Sequence, residues 1–208
     1  SGLLLRHVLP SQRRLTLLVG GLRLYQRTGL RWLVRKSRVL RLISARLASL
    51  EASAPEVPQS KFKADGRVIV PSGEKRTRVA VLSGCVMPLI NGPEMHAVTR
   101  VLARNGCEVV VTRGQVCCGA LNSHVGDLET GRDLARRNVV AFLDSDVETV
   151  VVASAGCGIR MKECGDLLRD DGEYRERAET LSAMVRDVHE FLVELPLVPP
   201  EGRLDYRV

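Results

Sequence analysis

The chain has 208 residues, 45% of them apolar and 3% aromatic, enough for one ordinary domain and an appendage around a core of Leu, Val, Ile and Ala. Its net charge of +7 sits at one end: residues 1–52 contain eleven Lys and Arg against the single acid Glu51, and the remainder is slightly acidic. No apolar run approaches the roughly 18 residues of a membrane span, no secretory signal leads the chain, and six cysteines in that context point to metal or redox chemistry in a reducing, cytoplasmic compartment rather than to disulfides.

Residues 1–52 read as a basic segment of two or three helices, interrupted near Thr28 and Gly29. Arg23, Arg27, Arg31, Arg35 and Arg38 follow steps of four and three, so they share one helical face. Such a stripe is either the solvated face of a helical hairpin or a docking face for an acidic partner subunit or an anionic membrane surface. Nucleic acid is disfavoured, because no zinc-finger spacing or RNA-binding aromatic motif accompanies the charge. Residues 53–77, with Pro55, Pro58 and Pro71 among polar residues, read as a linker with one short extended piece at GRVIV.

From residue 78 the pattern changes. RVAVL is a short buried-strand run, GPEMHAVTRVLARNG carries helix signals with Pro93 near its start and Gly106 after its end, and CEVVV is the next strand. GDLETGRDLARRNVVAFLDS is helical, ETVVVAS is a third strand, and residues 173–195 read as one long amphipathic helix. Strands alternating with helices imply right-handed βαβ units, so residues 78–200 are expected to form an α/β, Rossmann-like domain with a parallel sheet. Residues 201–208 read as the start of a following domain. The chain opens on Ser1 without a methionine and stops inside a strand-like RLDYRV, as an internal piece of a longer polypeptide would.

The cysteines gain meaning on that scheme. Cys85 follows the first strand in SGCVMP, Cys117 and Cys118 follow the second in QVCCGA, and Cys157 follows the third in SAGCGIR. Loops at the carboxyl ends of parallel strands lie along one edge, where ligands bind. Four convergent thiolates suit tetrahedral zinc or an iron–sulfur cluster. Gly84, Gly119, Gly156 and Gly158 let backbone approach a bulky inorganic group and offer amide donors to it. Cys107 opens the second strand, at the opposite end of the sheet, and Cys164 lies two turns beyond Cys157; both read as core residues. His124, six residues after Cys118, is the histidine near the constellation, as a supporting donor or proton carrier or as a surface residue at a helix entry. His7, His96 and His189 carry no chemistry in this reading. No phosphate-binding glycine loop, dinucleotide fingerprint or nucleophile triad accompanies the cysteines.

The run from Cys85 to Cys-Cys-Gly and then Cys157 resembles the cysteine-rich CCG domain of heterodisulfide reductase subunits. SGCVMPLINGPEMHAVTRVLARNGCEVVVTRGQVCCGALNSHVGD and VVVASAGCGIRMKECG, with the basic lead LRLYQRTGLRWLVRK, resemble more closely the iron–sulfur subunit of glycolate oxidase, also called glycolate dehydrogenase. That resemblance implies a longer chain in which a ferredoxin-like domain precedes two CCG domains, the first being the one here. It implies that Cys85, Cys117, Cys118 and Cys157 are the ligand candidates for an iron–sulfur cluster of the 4Fe-4S type. It implies partner subunits that carry FAD and oxidise glycolate, with electrons passing through iron–sulfur centres to a quinone or another acceptor. Arg160 stands where the heterodisulfide reductase form completes a Cys-x-x-Cys pair, so a noncubane cluster with a fifth cysteine is not implied. Lactate-utilisation and glycerol-3-phosphate dehydrogenase subunits share the domain, so the substrate rests on resemblance alone. A structural zinc module that transfers no electrons is the alternative of a different class.

Overall fold

The computed structural model describes residues 8–199 and Gly202. His7 lies outside the described residues, as does the expected start of a following domain apart from Gly202.

The basic segment forms α1 (Gln12–Arg27), α2 (Leu30–Ser37), α3 (Val39–Ile43) and α4 (Ala45–Ala52). Ser11 caps α1, and Thr28 and Gly29 end it, Gly29 in the left-handed region at φ 75°. Glu51, the lone acid of the segment, gathers its neighbours. Arg35 Nε donates to both carboxylate oxygens at 3.0 Å, Tyr25 Oη donates to one at 3.1 Å, and Arg31 Nε lies 3.6 Å away. The five arginines therefore do not form one stripe, contrary to the sequence expectation. Arg31 and Arg35 turn onto Glu51, Arg31 also lying 3.5 Å from the Glu56 carboxylate, and Arg38 occupies a left-handed break at φ 54° between α2 and α3. Arg23 and Arg27 stay on α1 with no ion-pair or hydrogen-bonding side-chain partner among the described residues.

The rest of the chain is built from β1 (Val68–Ile69), β2 (Thr77–Leu82), α5 (Met87–Ile90), α6 (Gly92–Arg104), β3 (Cys107–Val110), α7 (Ala120–His124), α8 (Leu128–Leu143), β4 (Thr149–Val152), α9 (Ala155–Lys162), α10 (Cys164–Leu167), α11 (Arg175–Met184), β5 (Val185–Asp187) and α12 (Val188–Val193). The sheet order is β1-β3-β2-β4-β5, with β2 to β5 parallel and β1 antiparallel against β3. In the centre Val79 stands between Val109 and Thr149. Successive residues of β2 serve opposite faces. Ala80 and Leu82 pack with Val150, Val152, Phe142 and Leu181, whereas Val79 and Val81 pack with Val109, Val151, Leu102 and Phe62. Both faces are covered by helices, which is why β2 reads as an unbroken apolar run rather than an alternating one.

Two segments differ from the sequence reading. The single helix expected over 173–195 is divided, because Val185 is fully buried and pairs with Val150, extending the sheet by a strand. Asp187 then starts a new helix: its carboxylate accepts from His189 N at 2.8 Å, and Glu190 accepts from Asp187 N at 3.0 Å. The second segment is 53–77, whose later half folds onto the domain. Phe62 is buried, donates its N–H to the Pro88 carbonyl at 2.9 Å and meets the His96 ring edge-on at 5.1 Å. Gly92 permits this approach, since a Cβ there would lie 2.2 Å from the Ser60 carbonyl oxygen.

The connections set the position of the site. From β2 the chain moves to β3 on one side; from β3 it returns across β2 to β4 on the other. The carboxyl ends of β2 and β4 therefore border the switch point of the sheet, where open α/β folds bind ligands.

Candidate metal centre

All three cysteine-bearing segments reach that edge. Cys85 follows the end of β2, Cys117 and Cys118 lie between β3 and α7, and Cys157 stands in the first turn of α9, immediately beyond β4. Cys157 thus belongs to a helix start rather than to a loop. Cys117 Sγ is 3.3 Å from Cys85 Sγ, and Cys118 hydrogen-bonds with both Cys117 and Cys157. The four thiols form a continuous contact chain in the order Cys85, Cys117, Cys118, Cys157. The middle pair is buried and the outer two are half-buried. A Cβ on Gly84 would lie 4.0 Å from Cys157 Sγ, which brings the turns after β2 and β4 face to face.

Buried amides fix the loops in place. Asn138, wholly buried on α8, accepts from Val116 N at 2.9 Å and donates to the Cys117 carbonyl at 3.1 Å. Gln115 accepts from Ser83 N at 2.7 Å and donates to the Val81 and Thr112 carbonyls at 3.2 and 3.0 Å, tying the end of β2 to the loop after β3. Gly119 has φ 80° and packs so tightly that a Cβ would meet Gly131 Cα at 3.3 Å, which positions α8 beneath the paired cysteines. From the N-terminal segment, Gln12 Nε2 donates to the Gly84 and Cys85 carbonyls at 2.8 and 3.3 Å. Asn138, Gln115 and Gln12 carry no cysteine-like signal in the sequence. Only Asn138 had a readable trace, as a polar residue among the apolar positions Leu134, Ala135, Val139 and Phe142 of α8.

The backbone also addresses the sulfurs. Peptide N–H groups of Val86, Gly119 and Ala120 hydrogen-bond with Cys85, Cys117 and Cys118 respectively, and the Ser154 side chain with Cys157. Gly156 and Gly158 behave differently from the donors expected of them: Gly156 is exposed with open space around it, and the Gly158 N–H donates to the Ser154 carbonyl at 2.8 Å. Their place in the first turn of α9 explains this, since helix geometry directs those amides. His124 ends α7, exposed and without a side-chain hydrogen bond among the described residues.

The electrostatics separate Cys85 from the other three. Its pKa lies below the ordinary thiol value, chiefly because Cys117 donates to it, against the opposing effect of burial. For Cys117 the hydrogen bond with Cys118 acts downward, but donation to Cys85, burial and the neighbouring charge prevail and push it up to about 12. Cys118 rises to about 11, foremost because it hydrogen-bonds with Cys117, and Cys157 is pushed further up by Cys118 and burial. Four thiols in one pocket cannot ionise together on their own; a bound cation reverses that balance by neutralising the thiolates it ligates. Cys107 and Cys164 are also raised to about 11, but by burial alone in the main, each within an apolar core.

Among the described residues, no three His, Cys, Asp or Glu side chains surround a point that would hold a single metal ion. The thiols touch in a chain instead, so the fit to a metal group rests on the chemistry of the donor set. That set is four soft sulfur donors with amide and hydroxyl groups directed at them, which matches an iron–sulfur cluster.

Residues 1–54 match the family described as the linker region of the glycolate oxidase iron–sulfur subunit, and residues 79–162 match the cysteine-rich CCG domain. The chain is 40% identical over 187 residues to the probable glycolate oxidase iron–sulfur subunit of Bacillus subtilis (strain 168), covering 89% of this chain and 42% of that protein. It is 32% identical over 177 residues to the glycolate oxidase iron–sulfur subunit of Escherichia coli (strain K12), covering 82% and 43%. Lactate utilization protein A of Geobacillus thermodenitrificans (strain NG80-2) is 29% identical over 125 residues, 60% of this chain and 52% of that one. The chain spans less than half the length of the two glycolate oxidase relatives. No solved structure matches it significantly. The chain thus carries the linker region of a glycolate oxidase iron–sulfur subunit followed by a cysteine-rich CCG domain, and along most of its length it is similar to glycolate oxidase iron–sulfur subunits.

Proposed function

We propose that this chain is the linker and first cysteine-rich domain of an iron–sulfur electron-transfer subunit in a flavin-dependent glycolate dehydrogenase complex. The observation that carries this reading is the contact chain of Cys85, Cys117, Cys118 and Cys157, brought from three segments to the switch edge of the sheet. These four cysteines hold the cluster. A bound iron–sulfur cluster supplies one-electron transfer, with a potential set by burial and by hydrogen bonds to sulfur. The chain's own contribution is to keep the sulfurs dry, to direct the Val86, Gly119 and Ala120 amides at them, and to fix the loops through Asn138 and Gln115. FAD and the oxidation of the 2-hydroxy acid belong to partner subunits, with a quinone or another acceptor beyond.

Anaerobic reconstitution followed by iron, sulfide and zinc analysis tests the reading, with electron paramagnetic resonance before and after reduction. About four irons and four sulfides per chain with a redox-responsive signal support it. Stoichiometric zinc without sulfide makes the domain a structural module, because zinc has no redox role.

The likeness to lactate utilization protein A supports a second reading, in which the complex oxidises lactate. Purification with the flavoprotein partner and comparison of glycolate with lactate separates the two. Arg23 and Arg27, on α1 with the exposed Leu24, are the docking surface of this reading for FAD-containing subunits or, peripherally, for the cytoplasmic face of a membrane. No helix among the described residues is long and apolar enough to cross one.

A further inference from the structure

We propose that Gln12 is a positioning residue of the cysteine site, so that the first turn of the basic helical segment holds the Cys85 loop in register with the other thiols. The inference rests on the cluster reading and concerns how that site is held. Gln12 is the first residue of α1, and its Nε2 reaches across 72 and 73 positions of sequence to the Gly84 and Cys85 carbonyl oxygens, at 2.8 and 3.3 Å. Among the described residues Gln12 supplies the hydrogen bonds that these two carbonyls receive.

The other cysteine loops are fixed from within the domain. Asn138 holds the Cys117 carbonyl, and helix α9 carries Cys157. The backbone of Gly84 and Cys85 is flanked by the Gln115 hydrogen bond at Ser83 on one side and by the start of α5 at Val86 on the other, while Cys85 meets its neighbours through its Sγ. Gln12 holds the two carbonyls between those points. Its own position is set by the Ser11 cap and by Leu15, the buried residue of α1 one turn further on. A glutamine is suited to the task because its amide nitrogen offers two donors, one for each carbonyl. The linker and the metal centre are thereby one unit, and a displacement of α1 is felt first at Cys85.

Two variants of the full chain test this. Gln12→Leu removes the polar group, and Gln12→Glu keeps the shape while replacing the donors with acceptors. In the metal-free chain, amide exchange over residues 83–87 is expected to quicken about fivefold in both, the factor of one net hydrogen bond, with β3 unchanged. In the reconstituted chain the cluster's midpoint potential and paramagnetic spectrum are expected to shift at unchanged iron content. Unchanged exchange over 83–87 overturns the proposal. So does acceleration that extends equally through β3, which is general loosening. Faster local exchange with an unmoved potential and spectrum makes Gln12 a tether without influence on the site, and overturns it as well. A wild-type chain that takes up no iron defeats the cluster reading instead, and the exchange result then stands separately because it is read without metal.

Discussion

Asn138 Nδ2 donates to the Cys117 carbonyl while its Oδ1 accepts from Val116 N, so one fully buried amide on α8 holds both sides of a peptide link beside the paired cysteines. Asn138→Leu keeps the volume and strands two buried backbone groups. Its expected cost is about 2–6 kcal/mol, given about 1–3 kcal/mol for each of the two unsatisfied buried groups. Asn138→Asp keeps the acceptor for Val116 and loses the donor, placing a carboxylate against the Cys117 carbonyl in an apolar setting, and is expected to be no milder. Urea unfolding of the metal-free chain measures both; losses within about 0.5 kcal/mol, as at surface sites, would remove Asn138 from the support of the loop.

The ligand assignment makes an asymmetric prediction for the cysteines. Cys117→Ser and Cys118→Ser are each expected to lower bound iron, because a hydroxyl is a harder and far less acidic donor than a thiol. Cys107→Ser is expected to leave the stoichiometry intact, since that residue opens β3 at the other end of the sheet and is buried against Val79 and Val109. Iron analysis after anaerobic reconstitution decides it. Equal loss in all three variants rejects the assignment.

Much of the α/β architecture was legible, and for a physical reason. RVAVL, CEVVV and TVVV are short β-branched runs between amphipathic helices, and Cys85, Cys117, Cys118 and Cys157 each come after one of these strands, so the topology rule for parallel sheets places those four together without knowledge of any contact. What was not legible depends on tertiary pairing. β5 is three residues long, and Val185 is drawn from a helical pattern into extended structure by the open edge of β4. Phe62 lies in a proline-rich stretch without period, and its burial follows from tertiary contacts with His96 of α6 and the Pro88 carbonyl that local sequence does not encode. The arginine stripe fails in the opposite way: step counting assumes one continuous helix, whereas Gly29 and Arg38 adopt left-handed backbone and Glu51 competes for two of the side chains.

Glu51 gives the helical segment a pH dependence of definite sign. Its carboxyl is held below the ordinary range first by the Arg35 hydrogen bond, with Tyr25 and Arg31 assisting against desolvation. A carboxylate with a depressed folded-state pKa contributes stability above its unfolded value, about 4.3, and that contribution is lost as pH falls through the lower folded value. Amide protection in α2 and α4, relative to the intrinsic exchange rate at each pH, is therefore expected to fall between about pH 5 and pH 3. Glu51→Gln, which cannot ionise, is expected to be looser at neutral pH and to show no such step. An acid step of equal size in the variant assigns the effect to other carboxylates.

The split of the arginines changes how a docking surface must be tested. Reversing Arg31 or Arg35 to Glu sets like charge against Glu51 and damages the hairpin itself, so lost association would report on folding. Arg23 and Arg27 have no such internal duty, and Leu24 beside them is exposed. Arg23→Glu combined with Arg27→Glu is expected to leave iron content and helix content unchanged. It is expected to weaken association with the flavoprotein partner by about tenfold at low salt, with the difference shrinking as ionic strength shortens the reach of the charges. The salt dependence is the telling part, because an apolar contact through Leu24 alone would persist at high salt. Equal association of variant and parent at low salt rejects the arginines as docking residues, whereas a loss confined to low salt supports an acidic surface on the partner.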